Sequence, residues 1–211
     1  FINWRASMDI KDGVVQYREL RAWDSNINEK TAYYVEMVVP NMAAQPSVKR
    51  FMAQLTKLKP NTAYQYRVGS KNADIWSPWY KFVTAPVFGS SFSFVVLGDI
   101  QTSYGQLEKM LNTVERRHSN VNFYMLVGDL VNDGENRNQW DAMLAASKGV
   151  FASKAIAVAW GTMTAAILTT KSKPCFFANT SITSLTARPA PKPKALPFSM
   201  HTALPTVMLF S

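Results

Sequence analysis

Two apolar runs, residues 92–97 (FSFVVL) and 121–127 (VNFYMLV), each pass directly into Gly-Asp, and a stretch of helical period separates them. Apolar runs this continuous read as strands covered on both faces. Between them, GQLEKMLNTVERR puts Leu107, Met110, Leu111 and Val114 on one face and basic residues in the last turn, which predicts a helix. Strand, helix and strand at this spacing make a βαβ unit. Its right-handed crossover makes the strands parallel and brings their C-terminal ends to one sheet edge. Open α/β sheets place ligands at that edge. Asp99 and Asp129 each stand just past such an end. Two carboxylates in one crevice repel unless a positive charge lies between them. Carboxylate oxygens suit hard and borderline metal ions. One isolated Gly-Asp reads as a helix or turn cap; two at matching strand ends point to a metal site.

The chain before this unit reads as all-β. FINWRA, GVVQYREL, TAYYVEMVVP, VKRFMAQL, AYQYRVGS and SPWYKFVTAP are short alternating or aromatic runs, separated by turn signals such as Asp12-Gly13, Pro60-Asn61 and Gly69-Ser70. Regularly spaced short strands predict a β-sandwich over residues 1–88. Its aromatic residues are assigned to the core by default. A Pro/Gly/Ser-bearing stretch at 85–91 marks the boundary. Beyond the βαβ unit, residues 138–144 start a second helix with Trp140, Met143 and Leu144 on one face.

These residues carry a family resemblance. VVLGDIQ followed by LVGDLVNDG resembles the first two motifs of the calcineurin-like metallophosphoesterases. The segment before them resembles the N-terminal domain of the purple acid phosphatase branch, and LKPNTAYQYRVGS resembles the strand pair around a fibronectin type III tyrosine corner. The resemblance covers residues 1 to about 150 and implies hydrolysis of phosphate esters on phosphorylated small molecules or proteins. It implies two metal ions (Fe, Mn or Zn) that hold the phosphoryl group and lower the pKa of a bound water. Asp99 would fix one metal and Asp129 would bridge both. Many members carry His where this chain has Gln101, and purple acid phosphatases carry an iron-binding Tyr where it has Asn132. Gln101 and Asn132 are assigned to a bound water or the phosphate, and a tyrosinate–iron site is not expected. The later motifs, Gly-Asn-His-Asp/Glu and Gly-His-x-His, are absent, so the metal site is incomplete, no catalytic residue is assigned, and this polypeptide is expected to be inactive. The family implies a secreted or periplasmic location, although no signal peptide is visible and no apolar run reaches the ~18 residues of a membrane span.

Past residue 150 the composition changes. All fourteen Asp and Glu residues lie at or before Asp141. At ordinary composition that absence has a chance on the order of 10⁻⁴. Residues 1–150 carry a net charge of +3 and residues 151–211 carry +6. The basic balance therefore belongs mainly to the tail and is no signature of a nucleic-acid face, which needs Lys and Arg clustered on a folded surface. Residues 155–168 are apolar but too short to span a bilayer. The region 151–211 is expected to be irregular and to be a shifted reading frame. Trp160-Gly161-Thr162-Met163-Thr164 is encoded by TGG GGN ACN ATG ACN. Read from the last base of the Trp codon, this permits Gly-Asn-His-Asp, with Gly and Asp forced. The slip is expected between about Leu144 and Trp160. Cys175 is the only cysteine, without a partner for a disulfide or zinc site. His118 ends the first helix as a dipole-complementing cation, and His201 carries no motif.

The domains expected are a fibronectin III-like sandwich (1–88), a partial metallophosphoesterase βαβ domain (89–150) and the atypical tail (151–211). A rival reading is a non-catalytic binding module in which the sandwich is the working part.

Overall fold

The structure is a computed structural model that describes residues 1–21, 26–37, 47–87, 91–134 and 136–159, and the backbone strand at 207–209. Among the described residues its first unit has eight strands: β1 (Ile2–Ser7), β2 (Val14–Glu19), β3 (Asn28–Thr31), β4 (Tyr33–Met37), β5 (Val48–Ala53), β6 (Ala63–Ser70), β7 (Ile75–Trp76) and β8 (Tyr80–Val83). β1, β5 and β4 form one antiparallel sheet; β3, β2 and β6 form the other, in which β7 and β8 both pair with β6. Period-two patterning builds the core between them. Along β6, Tyr64, Tyr66 and Val68 point inward while Gln65 and Arg67 point out. Trp4 stacks on Phe51 at 5.3 Å and Tyr64 on Phe82 at 5.5 Å. The Tyr64 hydroxyl accepts the Lys59 backbone N–H at 3.0 Å, which pins the turn before β6.

The default placing of aromatics in this core fails for Tyr33 and Tyr34 of β4, which are exposed, and for two tryptophans. Trp76 and Trp79 lie half-buried on the outer face, with the Arg67 guanidinium 4.5 Å and 5.0 Å from their ring centres and Arg18 5.3 Å from Trp79. Cation–π stacking gives these rings a partner outside the core.

The second unit runs β9 (Phe94–Leu97), α1 (Tyr104–Arg117), β10 (Phe123–Leu126), α2 (Arg137–Phe151) and β11 (Ala155–Val158). Its three strands are parallel, in the order β11-β10-β9. Two right-handed crossovers in the same direction put both helices on one face. There Leu97, Tyr124, Leu126 and Ile156 are buried with Leu107 and Leu111 of α1 and with Trp140, Met143, Leu144 and Phe151 of α2. The helix faces follow the expected period except at Met110, which is 41% exposed at the margin of the α1 stripe.

Two expectations are corrected. The strand runs are covered on one face only among the described residues: Phe94 and Val96 of β9 are exposed together with Phe92 and Val127, and Phe94 stacks on Phe123 at 5.1 Å. The region after residue 150 is not irregular throughout. Ile156 and Val158 of β11 pack into the core, and β11 pairs in register with β10. Lys154 secures the turn before it by donating to the Val121 carbonyl at 2.6 Å and pairing with Glu115 at 3.3 Å. An apolar, β-branched run following a helix is drawn onto the open edge of a parallel strand, whose backbone groups need partners. A further strand, β12 (Val207–Leu209), runs parallel beside Ile2, Asn3 and Trp4 of β1. Residues 160–206, with Cys175, His201 and the segment 161–164, lie outside the described residues. No helix among the described residues is long and apolar enough to cross a membrane.

The two units share an interior. Met37 and Val48 of the sandwich pack with the α/β core, and Ala152 packs with the sandwich core. Arg5 pairs with Asp141 of α2 at 2.6 Å. The buried Tyr66 hydroxyl donates to the Ala152 carbonyl at 2.7 Å. Tyr66→Phe is therefore expected to cost about 1–3 kcal/mol, because it leaves a buried carbonyl without a partner. Burial also pushes the Tyr66 phenol well above its ordinary value. A raised folded pKa means the contribution is complete below about pH 10, the unfolded value, and is lost as pH rises past it. Urea midpoints between pH 8 and 11 check both statements: the variant should start lower and lose less on the alkaline side. Equal midpoints at pH 8 would remove the bond from the account of stability.

Candidate metal centre

The C-terminal ends of β9 and β10 are adjacent, with Leu97 opposite Leu126. Each strand ends in Gly-Asp, and the two loops are laced together. Val127 N–H donates to the Leu97 carbonyl at 2.8 Å, Asp99 N–H to the Gly128 carbonyl at 3.3 Å, and Gln101 N–H to the Asp129 carbonyl at 3.1 Å. The glycines permit this. A side chain at Gly98 would meet Val127 at 2.9 Å, and Gly128 has φ of 100°. Asp99, Gln101 and Asp129 also adopt left-handed backbone, with φ of 52°, 50° and 47°. Asp tolerates that region better than most residues; Gln has no such advantage. Three left-handed non-glycine residues at one sheet edge are backbone strain concentrated in one place, and strain persists where the surroundings over-determine it.

Asp99 is exposed and Asp129 half-buried, and the backbone bonds between the two loops set both residues at this edge. Gln101 is half-buried beside Asp129 through its backbone bond. Asn132 is exposed three residues further on, past the buried Leu130 and Val131. His118 caps the far end of α1, away from this edge, its N–H donating to the Val114 carbonyl at 2.7 Å.

One contributor escaped the sequence reading. The Gln139 side-chain oxygen accepts the backbone N–H groups of both Asn132 and Asp133, each at 2.9 Å. Its neighbour Trp140 donates its indole N–H to the Gly134 carbonyl at 2.9 Å. The available signal was the spacing of Asn136, the N-cap of α2, and Gln139 three residues later, which is that of a capping box.

Residues 1–84 match the family model of the purple acid phosphatase N-terminal domain, and residues 92–164 match that of the calcineurin-like phosphoesterases. Over these two segments the chain is similar to the calcineurin-like phosphoesterases of the purple acid phosphatase type. A solved structure of similar fold is the purple acid phosphatase PPD1 from seeds of yellow lupin (Lupinus luteus), with 20% identity over 75% of this chain and a TM-score of 0.61. The chain spans about a third (32%) of the length of that enzyme. No curated protein matches the chain.

For a metal at this edge the described residues offer a partial donor set: Asp99 and Asp129 would supply carboxylate oxygens, and Gln101 and Asn132 would supply amide oxygens from the same loops. No group of three His, Cys, Asp or Glu residues stands together among the described residues. An all-oxygen set of this kind fits a single hard divalent cation. It is short of what two metals held by imidazole and carboxylate need, and it contains no tyrosinate for iron.

Proposed function

We propose that this fold serves metal-dependent hydrolysis of phosphate esters, with Asp99 and Asp129 holding metal, and that this polypeptide by itself turns over substrate negligibly. The observation that carries the first part is the strained, mutually bonded pair of Gly-Asp loops at the ligand-binding edge of a parallel sheet. Bound metals of this kind supply charge stabilisation and activate water; the chain's own contribution is to fix two carboxylates at one edge. The missing imidazole donors carry the second part. A secreted or periplasmic location and a fibronectin III-like arrangement of the first unit belong to the same reading. The Tyr64–Lys59 bond supports the latter, because it is the backward hydrogen bond of a tyrosine corner.

The shifted frame belongs to this proposal too. The slip is expected between about Leu144 and Trp160, and the burial of Val150 and Phe151 and the pairing of β11 through Val158 favour the late end of that interval. The test is to assay an aryl phosphate with Mn²⁺, Zn²⁺ or Fe, both for this chain and for one expressed from a gene with the frame restored at residue 160. The present chain should match the metal blank, and the restored chain should hydrolyse the ester. Efficient turnover by the present chain would overturn the inactivity; a silent restored chain would overturn the frame reading.

The sandwich as a binding module remains the second reading, favoured by the ordered Trp76–Arg67–Trp79–Arg18 stack on its outer face. It predicts no metal uptake at Asp129.

A further inference from the structure

We infer that Gln139 is a positioning residue for the metal-holding loop, acting through the backbone of Asn132 and Asp133 to fix Asp129. The inference rests on the metal reading of Asp99 and Asp129 and goes beyond it by naming what holds one of them in place.

In a capping box the residue three past the N-cap reaches back to the cap's own N–H. Here that N–H is already taken: Asn136 N–H donates to the Asp133 carbonyl at 3.0 Å. The Asn136 side chain still accepts the Gln139 N–H at 3.3 Å, so half of the motif is intact. The other half is redirected. With no cap N–H to meet, the Gln139 amide oxygen uses its two lone pairs on two successive N–H groups of the loop. The Trp140 indole holds Gly134, the next residue. Two adjacent side chains in the first turn of α2 thus grip residues 132–134, and Leu130 and Val131, both fully buried, anchor the loop between that grip and Asp129.

Asp129 needs this constraint. Gly128 and Asp129 are both left-handed, at 100° and 47°. On the other side the loop bonds into the equally strained Asp99–Gln101 turn. Two strained turns that hold each other can relax together; a helix end fixed in the hydrophobic core cannot. Gln139 supplies the outside reference, because α2 is packed along Trp140, Met143 and Leu144.

The test uses the full chain and two substitutions. Gln139→Met removes the acceptor at similar size, and Gln139→Glu keeps an oxygen with two lone pairs. Three quantities are read: Mn²⁺ affinity by electron paramagnetic resonance, amide exchange at Asn132 and Asp133, and the urea midpoint. Gln139→Met should weaken Mn²⁺ about 10–100-fold, the range for groups that orient a ligand from behind, and speed exchange at both amides. Gln139→Glu should restore both. Wild-type Mn²⁺ affinity in Gln139→Met, or a lower midpoint with affinity unchanged, would make Gln139 a helix cap alone and overturn the inference. If the wild-type chain binds no Mn²⁺, the metal reading falls instead. The exchange rates then decide separately: fast exchange in the Met variant upholds the loop constraint, and unchanged exchange overturns it.

Discussion

Asp129→Asn is expected to abolish divalent-cation binding while leaving the fold intact. The substitution suits the position. Asn is nearly the same shape as Asp and, like Asp, tolerates the left-handed backbone found there at φ 47°. The backbone bond from Gln101 to the residue 129 carbonyl does not depend on the side chain. The substitution removes one negative charge and one strong metal donor. A hard cation among neutral amides and the single carboxylate of Asp99 loses most of the attraction that offsets its dehydration. The loss of affinity should therefore exceed the 10–100-fold typical of removing a group that merely orients a ligand. Asp99→Asn should weaken binding as well, without affecting stability in chelator. Calorimetric titration with Mn²⁺ and Zn²⁺ reads the outcome, with circular dichroism as the check on folding. An Asp129→Asn variant that takes up metal as tightly as the wild type would remove Asp129 from the site.

The second large effect is expected at Trp140. Its side chain is 1% exposed, sits among Leu107, Leu111, Met143 and Leu144 in the α/β core, and uses its indole N–H on Gly134. Trp140→Ala opens a large cavity, for which the usual cost is about 3–5 kcal/mol. Against a total stability of roughly 5–15 kcal/mol for a native protein, this brings the chain close to unfolding. Trp140→Phe keeps most of the apolar volume and loses the hydrogen bond, so it should cost only about 1–3 kcal/mol. Urea denaturation followed by circular dichroism separates the two. If the Ala variant loses no more than the Phe variant, the core is not organised around this ring.

The sequence made the βαβ unit legible because its signals are periodic. Leu107 and Leu111 face the sheet as their spacing requires, and Asp99 and Asp129 follow from strand direction alone. What stayed hidden depends on which surface a residue meets. The same apolar alternation that fills the helix-covered face also puts Phe94 and Val96 on the other, so no pattern told the two faces apart. Strand β3, with the sequence NEKT, carries no apolar signal because all four residues are exposed and it is held by pairing with β2. Strand β11 was hidden by the odd composition that follows it, although Ile156 and Val158 pack as ordinary core residues. Gln101 in left-handed backbone and Gln139 bridging two amides are beyond sequence patterning, because each is imposed by a loop rather than by a residue preference.

The junction between the two units bears on how such a protein can be rearranged in evolution. A recombination point in residues 85–91 separates two recognisable sequence families. It does not separate two independent interiors, since Met37 and Val48 sit in the neighbour's core, Ala152 sits in the sandwich's core, Tyr66 bonds to the end of α2 and Arg5 pairs with Asp141. A sandwich transplanted alone would carry an apolar and cationic scar where α2 had been. An α/β unit joined to a foreign sandwich would lack the phenol that meets its helix end. The two halves are therefore expected to be inherited as a matched pair, with substitutions on one side of the junction constrained by residues on the other.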